Sequence, residues 1–138
     1  MGRQLLLRGL LASALLLLGC DQWLSWWPIE AVLGQPFTLR AGQTARVEEL
    51  QVSFTRVLED SRCPADLVCV WAGNAKVELE LTFSGAGRST VALNSTLDPL
   101  EISFTGYIVR YVDLEPYPRS TRSIDPQAYR LTLIVSRT

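Results

Sequence analysis

The sequence contains no histidine and a single lysine, Lys76, and its 13 basic residues nearly balance its 14 acidic ones. The missing histidine excludes Ser-His-Asp triads, HExxH zinc sites and histidine-ligated haem. A balanced charge argues against a nucleic-acid-binding protein, which normally carries a basic surplus. We therefore expect no nucleic-acid partner, no metal and no other cofactor.

Charged residues make up 20% of the 138 positions and hydrophobic residues 48%. A disordered chain shows the opposite balance, so this chain is expected to bury a hydrophobic core. Its length suits one domain plus a targeting segment rather than two domains.

The N-terminus has the layout of an export signal. Arg3 and Arg8 make its start basic, and the apolar run GLLASALLLL follows at positions 9–18. A basic start and a short apolar stretch are typical of secretory signals. A comfortable membrane span needs roughly 20 apolar residues, so the run predicts export rather than a membrane-spanning helix.

The apolar run closes with Leu17-Leu18-Gly19-Cys20. This ending resembles the lipobox of bacterial lipoproteins, in which the signal is cut before the cysteine and that cysteine receives fatty acyl chains such as palmitate. The resemblance implies a signal peptide over 1–19 and a bilayer anchor at Cys20. It also implies a location at the cell membrane, facing the periplasm or the cell exterior. The alternatives are an ordinary secretory signal with an incidental cysteine, or an uncleaved anchor.

Three of the four tryptophans lie within seven residues of Cys20, at Trp23, Trp26 and Trp27. Indole rings favour the headgroup region of a bilayer, because they combine an apolar body with one N–H donor. We interpret residues 20–35 as a membrane-proximal linker with these three side chains at the interface. The alternative is an N-terminal arm whose tryptophans pack on the folded domain.

Export would place the two remaining cysteines, Cys63 and Cys69, in an oxidising compartment, where an even pair predicts a disulfide. Their spacing does not fit a CxxC redox motif, and the chain offers no further soft ligands for zinc. The segment from Cys63 to Gly73 resembles a Cys-Pro-x4-Cys-Val-Trp-Ala-Gly signature of small exported bacterial proteins of uncharacterised function. The resemblance supports the pairing and implies no activity.

Beyond position 35, apolar residues alternate with polar ones at a period of two, which predicts strands. The clearest runs are 50–54, 77–83, 100–104 and 129–135. No segment shows helical spacing, so we predict an all-β domain over 36–138, an antiparallel β-sandwich or small barrel of about seven strands. The alternation changes phase at Glu48-Glu49 and at Gly106, where we expect bulges or bends.

Catalytic candidates are few. A Ser–Lys dyad could use only Lys76, which lies on the polar face of its strand. A carboxylate pair for glycosidic cleavage, or a calcium site, could come from Glu59, Asp60 or Asp66. Charges of this kind more commonly form ion pairs at a strand end. We therefore expect a protein that is not an enzyme.

Five residues around the cysteine pair form the candidate recognition loop: Asp60, Arg62, Asp66, Trp71 and Asn74. Trp71 is expected either to pack on the disulfide in the core or to be a partly exposed anchor of the type found in binding hot spots. The proline- and arginine-containing segment 113–127 is a second candidate surface.

These features predict a membrane-anchored lipoprotein that binds a protein or another envelope component without catalysis. The alternatives are a small envelope hydrolase, an inhibitor of an envelope enzyme, and a subunit that spaces other proteins from the membrane.

Overall fold

The structure is a computed structural model that describes residues 27–138. Nine strands and one short 3-10 helix, Pro126–Ala128, form within that range. The strands are β1 (Ile29–Glu30), β2 (Pro36–Arg40), β3 (Thr44–Val47), β4 (Leu50–Asp60), β5 (Ala75–Phe83), β6 (Gly87–Asn94), β7 (Glu101–Phe104), β8 (Tyr107–Glu115) and β9 (Arg130–Arg137).

The strands form two sheets, with the orders β1-β3-β4-β5-β6 and β2-β9-β8-β7. This confirms the predicted all-β sandwich, with nine strands where about seven were expected and two separate sheets rather than a closed barrel among the described residues. All pairings within residues 27–138 are antiparallel except β1 with β3. The strand β1 lies inside the segment 20–35 that the sequence suggested as a linker.

Alternation along the strands produces the core. In β5, every second side chain from Ala75 to Leu81 is buried, and those between them are half-buried. The inner faces of both sheets supply the largest fully buried side chains, among them Phe54, Leu39, Leu79 and Leu131. Removing these apolar surfaces from water is the main driving force for the fold.

Both predicted bulges are chain reversals instead. The residues on either side of Glu48–Glu49 pair directly with each other, as do those on either side of Thr105–Gly106. Glu48, Thr105 and Gly106 have positive φ angles, as tight two-residue hairpin turns require. The expectation of bulges or bends there was wrong, because a change of phase in the alternation marks a hairpin as readily as a bulge.

The five-stranded sheet has two distinguishable ends. The turn end carries the Glu48–Glu49 turn, where Tyr107 donates a 2.8 Å hydrogen bond to Glu48. The loop end lies where β4 finishes at Asp60 and β5 begins at Ala75. The side-chain contacts between segments that are far apart in the sequence, described below, lie at the loop end.

Candidate functional site

The disulfide loop, residues 61–74, joins β4 to β5 and continues their hairpin beyond the sheet. The Ser61 amide donates to the Asn74 carbonyl at 2.7 Å, and the Cys63 amide donates to the Ala72 carbonyl at 3.0 Å. Cys63 and Cys69 are joined by a disulfide with their Cα atoms 5.9 Å apart. The predicted pairing is therefore present in the structure.

A buried ion pair lies at the base of the disulfide loop. Arg62 contacts the Asp60 carboxylate through two hydrogen bonds of 2.7 Å, from Nε and Nη2. The side chains of Arg62 and Asp60 are only 5% and 10% exposed. Tyr129, the residue directly before β9 of the opposite sheet, donates to Asp60 at 2.9 Å, so the pair also connects the two sheets. The ion pair at a strand end that the sequence predicted is therefore present, but it is buried and belongs to a larger network.

Arg62 also holds the proline loop, residues 116–125, which follows β8. Its Nη2 donates to the Pro116 carbonyl at 2.9 Å, and its Nη1 donates to the Leu114 carbonyl. The guanidinium carbon lies 4.7 Å from the centre of the Tyr117 ring, within the range of a cation–π contact. The Arg62 side chain therefore donates hydrogen bonds to acceptors on β4, β8 and the proline loop.

Two further contacts join the disulfide loop to the proline loop. The Ala65 amide donates to the Pro118 carbonyl at 2.9 Å. Asp66 accepts hydrogen bonds from the Ser120 amide, at 2.9 Å, and from the Ser120 hydroxyl. The two segments predicted separately as candidate surfaces therefore form one continuous face.

The electrostatics of the network follow from these contacts. Burial by itself would raise the pKa of Asp60, but hydrogen bonds from Arg62 and Tyr129 and the positive charge of Arg62 lower it below its ordinary value of 3.8. Burial, together with the hydrogen bond to Asp60, raises the pKa of Tyr129 to about 12. The hydrogen bonds from Ser120 lower the pKa of Asp66.

The lowered pKa of Asp60 predicts that acid destabilises the fold. A carboxyl group whose pKa is lower in the folded chain than in the unfolded chain stabilises the fold fully above the unfolded value, and this stabilisation is lost as the pH falls through the folded value. We expect urea denaturation to give a free energy of unfolding that falls below about pH 4. The Asp60→Asn variant should be less stable at neutral pH and should lose less on acidification. An equal acid response in both proteins would contradict the assignment.

Asn74 closes the base of the loop from the β5 side. Its side chain donates to Asn94 at 2.9 Å and accepts from the Ser95 and Thr96 amides, both at 3.2 Å. Asn74 and Asn94 are both buried. Because buried polar groups are costly without partners, Asn74 serves the architecture rather than a ligand.

The far part of the disulfide loop exposes a cluster of large apolar side chains. We call these four residues the apolar tip, with exposures of 52%, 103%, 91% and 83%: Leu67, Val68, Val70 and Trp71. The expectation that Trp71 packs on the disulfide in the core was wrong. The structure shows Trp71 exposed beside the disulfide, and its role as a binding anchor stays a prediction.

The disulfide is expected to contribute modestly to stability. For a loop of about seven residues, the chain-entropy relation gives about 2–2.5 kcal/mol. The Cys63→Ser/Cys69→Ser variant should therefore fold, with its free energy of unfolding reduced by that amount in urea denaturation. A reduction above about 4 kcal/mol would contradict a local role, since it would match the largest cross-linked loops.

The predicted site residues thus separate into two groups. Asp60, Arg62 and Asn74 are buried supports, and Asp66 is engaged by Ser120. Trp71 and Asp66 are exposed, and Trp71 is the one apolar side chain among the five. The other three members of the apolar tip were not singled out from the sequence, although Leu-Val-Cys-Val lacks the alternation of a half-buried strand.

The membrane-interface predictions lie mostly outside the described residues, which exclude Cys20, Trp23 and Trp26. Trp27 is described and is 75% exposed. Its side chain is therefore not packed into the sandwich. No helix among residues 27–138 is long and apolar enough to cross a membrane.

The carboxylates considered for catalysis are not paired across a cleft. Asp60 faces Arg62 and Tyr129, and Asp66 faces Ser120. Glu59 accepts a 3.2 Å hydrogen bond from the Ser61 hydroxyl. Two surface grooves of about 360 and 590 Å³ are lined by neither aspartate. Within the described range, no three His, Cys, Asp or Glu side chains lie close enough together to hold a metal ion.

The arrangement is thus a rigid, stapled loop with a buried ionic base and an apolar tip. Comparisons of the chain with protein-family models, curated proteins and solved structures gave no match.

Proposed function

We propose that the chain is a bacterial lipoprotein whose β-sandwich is held at the cell membrane by acyl chains on Cys20. The basic start, the apolar run and the ending Leu17-Leu18-Gly19-Cys20 support this proposal. The disulfide between Cys63 and Cys69 fits it, since such bonds persist in exported proteins and are rare in the cytosol. The domain would then face the periplasm or the cell exterior.

We infer that the domain is a non-enzymatic binding module and that the disulfide loop is its contact surface. The apolar tip carries this inference, because four large apolar side chains lie within five positions of one exposed loop. Single exposed hydrophobic residues are common, but grouped ones indicate interaction sites. A loop already fixed by a disulfide and a buried ion pair loses little conformational entropy on binding.

The contacts of the acidic residues favour binding over hydrolysis. A glycosidase needs two free carboxyl groups on either side of the scissile bond. Here Asp60 and Asp66 are both hydrogen-bonded within the fold. A braced, projecting loop also suits an inhibitor that inserts it into the cleft of an envelope enzyme, which is the second candidate function.

Photo-cross-linking in living cells tests the proposed surface. A photoreactive amino acid placed at position 68, in the apolar tip, should form adducts with an envelope component. Position 32 provides the matched control, because Val32 is also a strongly exposed valine but lies beyond β1, towards the turn end. No adduct at position 68, or equal adduct yields at both positions, would contradict the proposal.

A further inference from the structure

β1 runs away from the end of the five-stranded sheet where the disulfide loop projects. β1 runs parallel to β3, and β3 runs towards the Glu48–Glu49 turn. The chain therefore enters β1 from the side of the sheet where the disulfide loop projects. An anchor on the preceding residues would therefore be reached from the loop side of the domain rather than from the turn side.

The length of the tether limits how far the loop can stand from the bilayer. Nine residue steps separate Cys20 from Ile29, which span at most about 30 Å. Ile29 is level with Val52 on β4 and so with Leu81 on β5, and the six further residues of β5 from there to Ala75 span about 20 Å at the usual rise of a strand. The disulfide loop extends beyond that point. If the loop end of the domain faces the membrane, the tether is short enough to hold the apolar tip at the membrane surface.

The composition of the tip suits a membrane interface. Leu67, Val68 and Val70 are aliphatic, and Trp71 adds an indole ring. Aliphatic and indole groups partition favourably into the boundary between headgroups and acyl chains. Asp66, the one acidic residue between the two cysteines, is hydrogen-bonded to Ser120, and its negative charge interacts with Arg119.

Positive charge lies beside the tip. Arg119 and Arg122 are exposed and pair with each other through backbone contacts in the proline loop, which is hydrogen-bonded to the disulfide loop. Neither arginine forms an ion pair within the described part of the chain. Basic side chains next to an apolar surface are attracted to anionic lipids.

We propose that the envelope component bound by the disulfide loop is the anionic bilayer surface itself. The apolar tip enters the headgroup region, while Arg119 and Arg122 face lipid phosphates. This inference rests on the proposed function, because the acyl anchor on Cys20 sets the distance between domain and membrane.

Tryptophan fluorescence of the full-length lipoprotein tests the docking. The Trp23→Phe/Trp26→Phe/Trp27→Phe variant leaves Trp71 as the sole tryptophan. In vesicles of phosphatidylglycerol and phosphatidylethanolamine with brominated acyl chains, its emission should shift to shorter wavelength and be quenched several-fold.

Two variants of that single-tryptophan protein serve as controls. Adding Trp71→Phe and Val32→Trp moves the indole to the opposite side of the domain, where emission should stay unquenched. Adding Arg119→Gln and Arg122→Gln should weaken the quenching of Trp71 in anionic vesicles.

The outcomes separate the docking from the proposed function. If the brominated lipids do not quench the fluorescence of Trp71, or quench it no more than that of an indole at position 32, lipid docking is contradicted. If position 68 still cross-links to a protein in cells, the binding module stands and its partner is that protein. Mass spectrometry of the same sample that finds Cys20 without acyl chains would contradict the tether, and the docking with it.

Discussion

Replacing Arg62 with methionine is expected to lower the free energy of unfolding by about 3–5 kcal/mol, the usual cost of removing one partner from a buried ion pair. Methionine fills similar volume but leaves the Asp60 carboxylate with only the Tyr129 hydroxyl as a side-chain donor. The carbonyls of Leu114 and Pro116 also lose their guanidinium donor. Because domains are stable by only about 5–15 kcal/mol, this is a large share of the total.

The comparison that isolates burial is Arg56→Met, measured by the same urea denaturation. Arg56 pairs with Glu78 at 3.3 Å, but its side chain is 65% exposed. Exposed pairs contribute about 0–1 kcal/mol, so this variant should be nearly as stable as the unmodified protein. Arg62→Lys should fall between the two, since an ammonium cannot reproduce the planar bidentate contact. A loss below about 1 kcal/mol for Arg62→Met would contradict the buried network, because that value is typical of surface pairs.

The Gly73→Ala substitution is expected to be the second most damaging change. Gly73 has a φ angle of +70°, and a Cβ atom there would lie 1.8 Å from the Ser61 carbonyl oxygen. The backbone must shift, and the Ser61–Asn74 hydrogen bond at the base of the disulfide loop must shift with it. Overpacking and the left-handed conformation together should cost about 2–5 kcal/mol.

Gly42→Ala is the matched control for that substitution. Gly42 has a φ angle of +82°, but a Cβ atom there would meet nothing within 4 Å. Its expected cost is about 1–2 kcal/mol, from the left-handed conformation alone. Equal losses for the two alanine variants would show that conformational strain rather than the close approach at Ser61 decides the effect.

The strands could be predicted from the sequence because each depends on local alternation. The run from Val77 to Phe83 lies within β5, and the runs at 50–54 and 129–135 lie largely within β4 and β9. The turns at Glu48–Glu49 and Thr105–Gly106 were misjudged, because alternation records which face a side chain takes and not whether the chain reverses. Alternation within one strand cannot predict which strands pair with each other or in what register.

The candidate site was only partly predictable, for a different reason. The cysteines predicted the disulfide of the loop, but the sequence left open whether Trp71 packs on that disulfide or is exposed, because burial depends on how the loop lies relative to the sandwich. The bond from Tyr129 to Asp60 spans 69 residues, and no local pattern marks it. In the sequence Arg62 likewise looks like an ordinary loop charge, because its contacts with β8 and the proline loop are more than 50 residues away.

The same contacts connect fold to proposed function. Arg62 fixes the disulfide loop against the proline loop, which carries Arg119 and Arg122. Loss of the buried pair should therefore weaken both stability and binding, whereas changes at the apolar tip should weaken binding alone.

The measurement that bears most directly on the proposed lipoprotein is the mass of the N-terminal and disulfide-containing peptides from protein isolated from bacterial membranes. The account predicts a mature chain that begins at an acylated Cys20, with Cys63 and Cys69 covalently linked. A free thiol at Cys20, or an N-terminal peptide that still begins at Met1, would contradict it.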